Sequence, residues 1–371
     1  MIHTAPKPDP NVAKMCSNEQ LYVHKHWVQV ILFCLYATIF IVGVGGNLVV
    51  IGVILGNKQM RTTINLYLLN LSTSDIIMSV FSSAKLMGRW QFIGGGMCKL
   101  TISSMIVSVC MSTFTLAAIA VNRFLAVFYP FSTRNHSVTR TIVIILCIDL
   151  VAIIITLPRA IVVEQVTRTW LGPELKFKGN IVCSSSWSEK SHRVHNLFVK
   201  ISEFAIPFTI IVICYTSIMI KLKHRDQIRR SESMTTEQMQ EEASRNKRMN
   251  KMLITITVLF GICWFPSRLL QMVWTVDHSV RCWKLWKLTE YTVHVIAMFS
   301  TCFNPFLYGF MNTAFKEAFA KLWSCARKTE AMKNREREND SGFVEERVSI
   351  EECTTSSTGL SQSKIVHGVY Y

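Results

Sequence analysis

Two charged residues in this sequence stand where charge is expensive. Asp75 lies in the middle of Thr62–Ala84, whose other side chains are all uncharged. Arg123 closes Leu100–Asn122, a run with no charge at all. An ionised group among apolar neighbours needs partners. Other apolar runs offer Asn47, Ser112, Ser300 and Asn304 at a depth similar to Asp75. An acid among amide and hydroxyl groups makes a small oxygen-rich cage, suited to a hydrated monovalent cation or a proton. The plainer alternative is a structural hydrogen-bond knot, for which one Asn would suffice. Pro207, Pro266 and Pro305 each interrupt a further apolar run. A proline inside a helix frees a carbonyl and kinks the rod. Kinks are commonly static, but three of them around a central acid suggest helices that pivot between two packings.

The elements that position these residues follow from hydropathy. The chain has 371 residues, half of them hydrophobic and only 17% charged, a balance that points to a membrane protein. Crossing a hydrocarbon layer takes about 20 helical residues. Seven runs meet that need: Trp27–Asn57, Thr62–Ala84, Leu100–Asn122, Thr141–Pro158, Phe204–Ile220, Met252–Ser267 and Tyr291–Phe315. In lipid, runs of this length satisfy their backbone as helices, whereas a barrel would show short alternating strands. The fold class is therefore an all-α membrane bundle of seven spanning helices. The expected helices are residues 27–56, 63–88, 98–131, 140–163, 196–223, 246–275 and 285–311. They follow an extracellular N-terminus at 1–26, and the bundle as a whole covers 27–311.

The opening residues lack the apolar core of a cleavable signal peptide, so the first helix is expected to serve as its own insertion signal. Seven spans put the termini on opposite faces. The linker Lys221–Lys251 carries nine Lys/Arg and argues for the cytoplasm. The loop between the fourth and fifth helices is basic too, so the net charge of +16 is shared between faces. Solvated loops touching headgroups explain it better than nucleic-acid binding, for which no motif is present. Six of the twelve cysteines fall inside helices, where a free thiol is a small apolar residue. Cys16, Cys98, Cys183 and Cys282 share one face if the N-terminus is outside, which suits two disulfides.

Residues 312–325 form an amphipathic juxtamembrane helix in this reading. Ala314, Phe315, Ala318, Phe319, Leu322 and Trp323 recur at helical spacing, with Lys316, Glu317 and Lys321 opposite. Cys325 at its end is a candidate for palmitoylation, or a plain juxtamembrane thiol. Residues 326–371 are polar and read as a disordered cytoplasmic tail. Its Ser349, Thr354, Thr355, Ser356, Ser357 and Thr358 would recruit arrestin once phosphorylated, or simply solubilise the chain.

Five short stretches now carry a resemblance: GNLVV at 46–50, LSTSD at 71–75, NRF at 122–124, CWFP at 263–266 and NPFLY at 304–308. One per helix and in order, they resemble the signature positions of rhodopsin-like (class A) G-protein-coupled receptors. The resemblance covers nearly the whole chain up to about Cys325. It implies a plasma-membrane receptor, not an enzyme, with its N-terminus outside and heterotrimeric G proteins as partners. Arg123, with Asn122 before it, matches the arginine that turns inward on activation, with Tyr215 and Tyr308 as companions. Trp264 above Pro266 matches the lever that senses ligand. Pro207 and Phe260 match two members of the packing relay, whose third position is Thr113. Asn304 and Pro305 belong to the seventh-helix motif. Asp75, Ser112 and Asn304 match an allosteric sodium site; no other cofactor is implied. Cys98 and Cys183 match the disulfide between the third helix and the second extracellular loop. Cys16 and Cys282 would form a second bridge.

Three departures stand out. Asn122 replaces the usual Asp or Glu, and a neutral bond to a guanidinium has about half the strength of a charge-assisted one. Asn246 stands where an acidic restraint on the sixth helix often sits. Both predict a resting state held less firmly. Asp149 replaces the tryptophan of the fourth helix, for which the sequence offers no reason.

No lysine lies between Thr289 and Phe315, so a retinal Schiff base is excluded. Met105 stands where amine receptors carry an Asp. The loop LPRAIVVEQV (157–166), a hairpin running to Cys183, and RWQFIGGGMCKL (89–100) resemble peptide receptors of the RFamide, orexin, neuropeptide Y and cholecystokinin branch. Met105, Glu164, Glu203, Arg268, Gln271, Glu290 and His294 would line an open funnel of mixed charge, which suits a peptide ligand better than a lipid. Glu203 and Arg268 could also pair with each other. The sequons at Asn70, Asn135 and Asn339 fall in a helix or on the inner face, so no outer glycan is expected. A membrane metal hydrolase would need clustered His and acids, and a channel a polar path; neither pattern appears. An arrestin-only or scavenging receptor is the nearer rival.

Overall fold

The computed structural model describes residues 26–87, 95–129, 138–168, 180–185, 187–231, 237–276, 280, 285–312, 315–321, 323–324 and 327. Cys16, Cys282, Cys325 and the Ser/Thr cluster of the tail lie outside them. Seven of the described helices are long and apolar enough to cross a membrane. They are α1 (His26–Gly56), α2 (Thr63–Met87), α3 (Gly95–Phe128), α4 (Val138–Val162), α5, α6 (Glu237–Val276) and α7 (Trp286–Met311). α5 comes in two stretches, Glu189–Lys200 and Ile206–Ser231, joined by a π-turn at Ile201–Ala205. Between α4 and α5, β1 (Val163–Arg168) pairs antiparallel with β2 (Asn180–Ser185), Gln165 opposite Cys183.

Burial follows the logic of lipid rather than water. Ile41, Leu146, Val212, Ile262 and Phe310 point outward and are exposed, while Asn47, Ser72, Ser74, Asp75, Ser112 and Asn304 are buried with Leu71, Leu116 and Met298. Exposed apolar surface costs nothing against hydrocarbon, so packing and internal hydrogen bonds hold the helices together. Small residues set the closest approaches. A Cβ built on Gly43 would stand 2.5 Å from Ser79 Oγ and 3.0 Å from Thr301 Oγ1, and one on Gly46 would stand 2.9 Å from Pro305 Cγ. Helices α1, α2 and α7 therefore meet with no room to spare.

Local chemistry sets several element ends. Asn57 Oδ1 accepts from Gln59 N at 3.0 Å and caps the short 3-10 turn before α2. Ser188 caps α5 by accepting from Ser191 N. Asn312 Oδ1 accepts from Phe315 N at 3.2 Å, opening the helical stretch 315–321. There Phe315 and Ala318 are buried while Phe319 and Trp323 are exposed and stacked on each other.

Two rods outrun their apolar segments. α6 begins at Glu237, well before residue 246, and α5 extends from Glu189 to Ser231 rather than from 196 to 223. Hydropathy marks the membrane, whereas good helix formers such as EQMQEEA keep the ladder going beyond it. The three expected prolines all lie within helices. Pro266 and Pro305 lie inside helices, joined by Pro158 in α4. Pro207 lies within α5, the second residue after the π-turn, so the irregular stretch of that helix directly precedes its proline.

Candidate functional site

The functional residues form a column through the bundle. At its outer end the π-turn of α5 presents Glu203, whose side chain is 1% exposed. Glu203 Oε1 accepts a hydrogen bond from Lys200 Nζ at 2.8 Å and forms an ion pair with Arg268 Nη1 at 2.6 Å. The expected Glu203–Arg268 pairing is therefore present, and Lys200 joins it. Lys200 went unnoticed in the sequence although its position three residues before Glu203 was a usable signal. Arg268 also donates to Gln271 Oε1 at 3.4 Å, and Gln271 donates to Ser267 Oγ. Met105 is half-buried at the edge of the apolar core. His294 Nδ1 bonds the Tyr36 hydroxyl, tying α7 to α1. Glu290 is bound by Lys287 at 2.9 Å, and Glu164 is exposed on β1. The funnel residues thus divide into one tight cluster and several separate wall positions.

Below the cluster, Arg268 lies over the Trp264 ring, 4.7 Å from its centre. A row of rings then crosses from α5 to α6: Phe204–Phe208 at 4.3 Å, Phe208–Phe260 at 6.3 Å and Phe260–Trp264 at 5.8 Å. Trp264 Nε1 donates to Ser300 Oγ at 3.1 Å, linking the row to α7. Thr113 is buried and turns its hydroxyl onto its own helix, donating to Val109 O. The residue matching the third relay position is thus a satisfied polar group rather than a branched apolar one.

One layer deeper, Asn304 Nδ2 donates to Asp75 Oδ2 at 2.6 Å. Ser112 Oγ bonds Ser74 Oγ at 2.7 Å, which sets it beside the residue that precedes Asp75. Asn47 Nδ2 donates to Gly43 O and Thr301 O, and Ser79 Oγ donates to Thr301 Oγ1 at 3.1 Å. Asp75, Ser112, Asn304 and Ser300 are all buried. Ser74, Ser79 and Thr301 are additions that the sequence did not single out.

At the inner end Arg123 is half-buried, and its Nη2 donates to Met249 Sδ on α6 at 2.8 Å. Its Nε has no hydrogen-bond partner among the described residues. Tyr215 is buried near enough to Arg123 for electrostatic interaction. Tyr308 is fully buried and stands against Phe315 at 6.4 Å between ring centres. Asn122 is half-buried, while the side chain of Asn246 lies outside the described set. So do the side chains of Cys98 and Cys183, whose backbones belong to α3 and β2.

Asp149, unexplained from sequence, acquires a partner. Asn70 Nδ2 donates to Asp149 Oδ1 at 3.0 Å and to Thr115 Oγ1 at 3.1 Å. One buried amide thus joins α2, α3 and α4, and satisfies an acid that hydrocarbon alone would reject. No group of three or more His, Cys, Asp or Glu able to hold a metal occurs among the described residues.

Comparison with known proteins fits this architecture. The sequence profile of the 7 transmembrane receptor (rhodopsin family) matches residues 46–308. The chain is 29% identical over 343 residues to the neuropeptide Y receptor type 2 of Mus musculus, covering 89% of this chain and 85% of that one. It is 30% identical over 306 residues to the neuropeptide Y receptor type 6 of Oryctolagus cuniculus, covering 79% and 80%. It is 28% identical over 327 residues to the neuromedin-K receptor of Oryctolagus cuniculus, covering 86% and 66%. The motif-based resemblance to the neuropeptide-receptor branch agrees with these relatives.

Proposed function

Because the chain belongs to the rhodopsin family of seven-transmembrane receptors, we propose that it binds an extracellular peptide and activates heterotrimeric G proteins through an outward pivot of α6. In this reading it sits in the plasma membrane with its N-terminus outside. The names of its relatives, neuropeptide Y and neuromedin-K receptors, favour a peptide ligand. The mixed charge of the funnel favours it too.

One observation carries the reading. A chain of contacts runs from the buried Glu203–Arg268 pair through Trp264 to Ser300 on α7, four residues before Asn304, which holds Asp75. A ligand that displaces Arg268 acts directly on Trp264, two residues from the kink at Pro266. The ring row from Phe204 to Trp264 couples the same movement to α5. At the inner end Arg123 is held to α6 by one neutral sulfur contact. Swinging α6 away releases the guanidinium toward Tyr215 and Tyr308 and opens the pocket for the G protein.

Asp75, Ser112 and Asn304 fit a sodium site. Buried carboxylate and hydroxyl oxygens suit a hard cation, which would supply the countercharge a buried carboxylate lacks. Asn304 presents an N–H to Asp75, so its part is to orient the carboxylate. Arrestin binding to the phosphorylated tail, palmitoylation of Cys325 and the Cys98–Cys183 and Cys16–Cys282 bridges complete the proposal.

The test is guanine-nucleotide exchange on a panel of G proteins, in membranes bearing the full-length chain, with and without a neuropeptide library. Exchange that a peptide raises and Arg123→Ala abolishes is the expected result. Surface-expressed, peptide-binding protein that activates no G protein would overturn it in favour of arrestin-only or scavenging action.

A further inference from the structure

The cluster on the π-turn has an unbalanced charge. Glu203 contributes one carboxylate, whereas Lys200 and Arg268 contribute two cations, and both pair with the same oxygen, Oε1. One positive charge is left over in a place poor in water. The exposures of the three side chains, 21% for Lys200, 10% for Arg268 and 1% for Glu203, decide what a newcomer meets. It meets the cations, because the carboxylate lies behind them. Arg268 also has an unused donor, since its Nε has no hydrogen-bond partner among the described residues. The neighbouring Gln271 offers it only a neutral oxygen at 3.4 Å. Of the other funnel acids, Glu290 is engaged with Lys287.

Building on the peptide reading above, we infer that Lys200 and Arg268 form a recognition site for a carboxylate of the ligand, with Glu203 holding the two cations in place. A guanidinium fork binds a carboxylate through paired, charge-assisted hydrogen bonds. The incoming group balances the cluster at two cations and two anions. It also draws Arg268 off the Trp264 ring, so the contact that selects the ligand is the one that moves the lever. The π-turn matters because the extra residue in its wide turn re-aims the side chains that follow, and such turns recur at functional sites. The carboxylate can come from an Asp or Glu side chain or from a free C-terminus; both offer the same chemistry.

The test uses the full-length receptor in lipid nanodiscs and a synthetic library of 12-residue peptides, made once as free acids and once as carboxamides. Peptides retained by the receptor are identified by mass spectrometry. Wild type should retain acidic peptides with roughly tenfold enrichment over the input, the factor that one good charged pair is worth. A side-chain carboxylate enriches in both libraries, a terminal one in the free-acid library alone. The Lys200→Gln/Arg268→Gln receptor should lose the enrichment, and Arg268→Lys, which keeps the charge, should retain most of it. Thermal unfolding of each variant shows that it is folded, and Lys200→Gln alone, expected to halve the preference or more, covers the case in which the double variant is not. A retained pool with no acidic preference overturns the inference but leaves the peptide reading standing. So does a basic preference that Glu203→Gln removes. A folded wild-type receptor that retains no peptide at all sinks both.

Discussion

Replacing Glu203 by Gln should be the most damaging single change in the outer half of the bundle, and a second mutation should partly repair it. Glu203 is buried and pairs with two cations at 2.8 and 2.6 Å. Removing the one anion strands two cations, and breaking a buried pair in this way costs about 3–5 kcal/mol. Lys200 keeps some access to solvent and can swing outward, so we expect the lower end, about 3 kcal/mol. Arg268→Gln leaves the Lys200–Glu203 pair intact and should cost only about 1 kcal/mol. The double variant retains a single cation that can reach water, and should lose about 2 kcal/mol, less than Glu203→Gln alone. The assay is thermal unfolding of purified receptor at fixed salt without ligand. Midpoints should fall in the order wild type, Arg268→Gln, double variant, Glu203→Gln. A double-variant loss equal to the sum of the single losses, to within about 0.5 kcal/mol, would refute a shared ion cluster.

Other outcomes follow from the same structure. Asn122→Asp gives Arg123 a charged partner worth about 1 kcal/mol more than the neutral one, so ligand-free nucleotide exchange should drop about fivefold; unchanged exchange at equal surface expression would show that position to be silent. Asp75→Asn should make agonist affinity insensitive to exchanging sodium for N-methylglucamine, which shifts the wild type. Gly46→Ala places a methyl group 2.9 Å from Pro305 Cγ and should cost about 1–3 kcal/mol, read as a lowered unfolding midpoint with the helical circular dichroism retained. Trp264→Phe removes the 3.1 Å bond to Ser300, worth about 1 kcal/mol, and should alter basal exchange while leaving surface expression intact.

The seven spans were legible because length and hydropathy are local properties that the bilayer converts directly into helices. Asp75 was legible in part for a related reason: a lone acid in an apolar run must find polar company, which Asn304 supplies, whereas Asn47, Ser112 and Ser300 bond elsewhere. What depended on how helices rotate against each other was not legible. Asn70 read as a sequon inside a helix, yet its amide is the partner of Asp149, a pairing that exists only once α2, α3 and α4 have packed. The π-turn that sets the orientation of Glu203 has no local code either, since a wide turn forms where tertiary packing compensates for it. Pro207 was visible, but its position directly after that turn was not.

The length of α6 has a mechanical consequence. From Pro266 down to Glu237 the rod measures about 44 Å at 1.5 Å per residue, whereas Trp264 is only about 3 Å from the same fulcrum. A swing of about 10° would carry the inner tip through about 8 Å while Trp264 shifts by about half an ångström. Displacement is geared up roughly fifteenfold on this geometry, and force is geared down by the same ratio. In the proposed pivot a ligand would have to move very little, but it would have to push against close-packed rings to do so. A partner gripping the tip would work with the opposite advantage: a weak hold over a long travel would suffice to keep the rod displaced. By reciprocity, that hold would tighten the proposed outer site for its ligand.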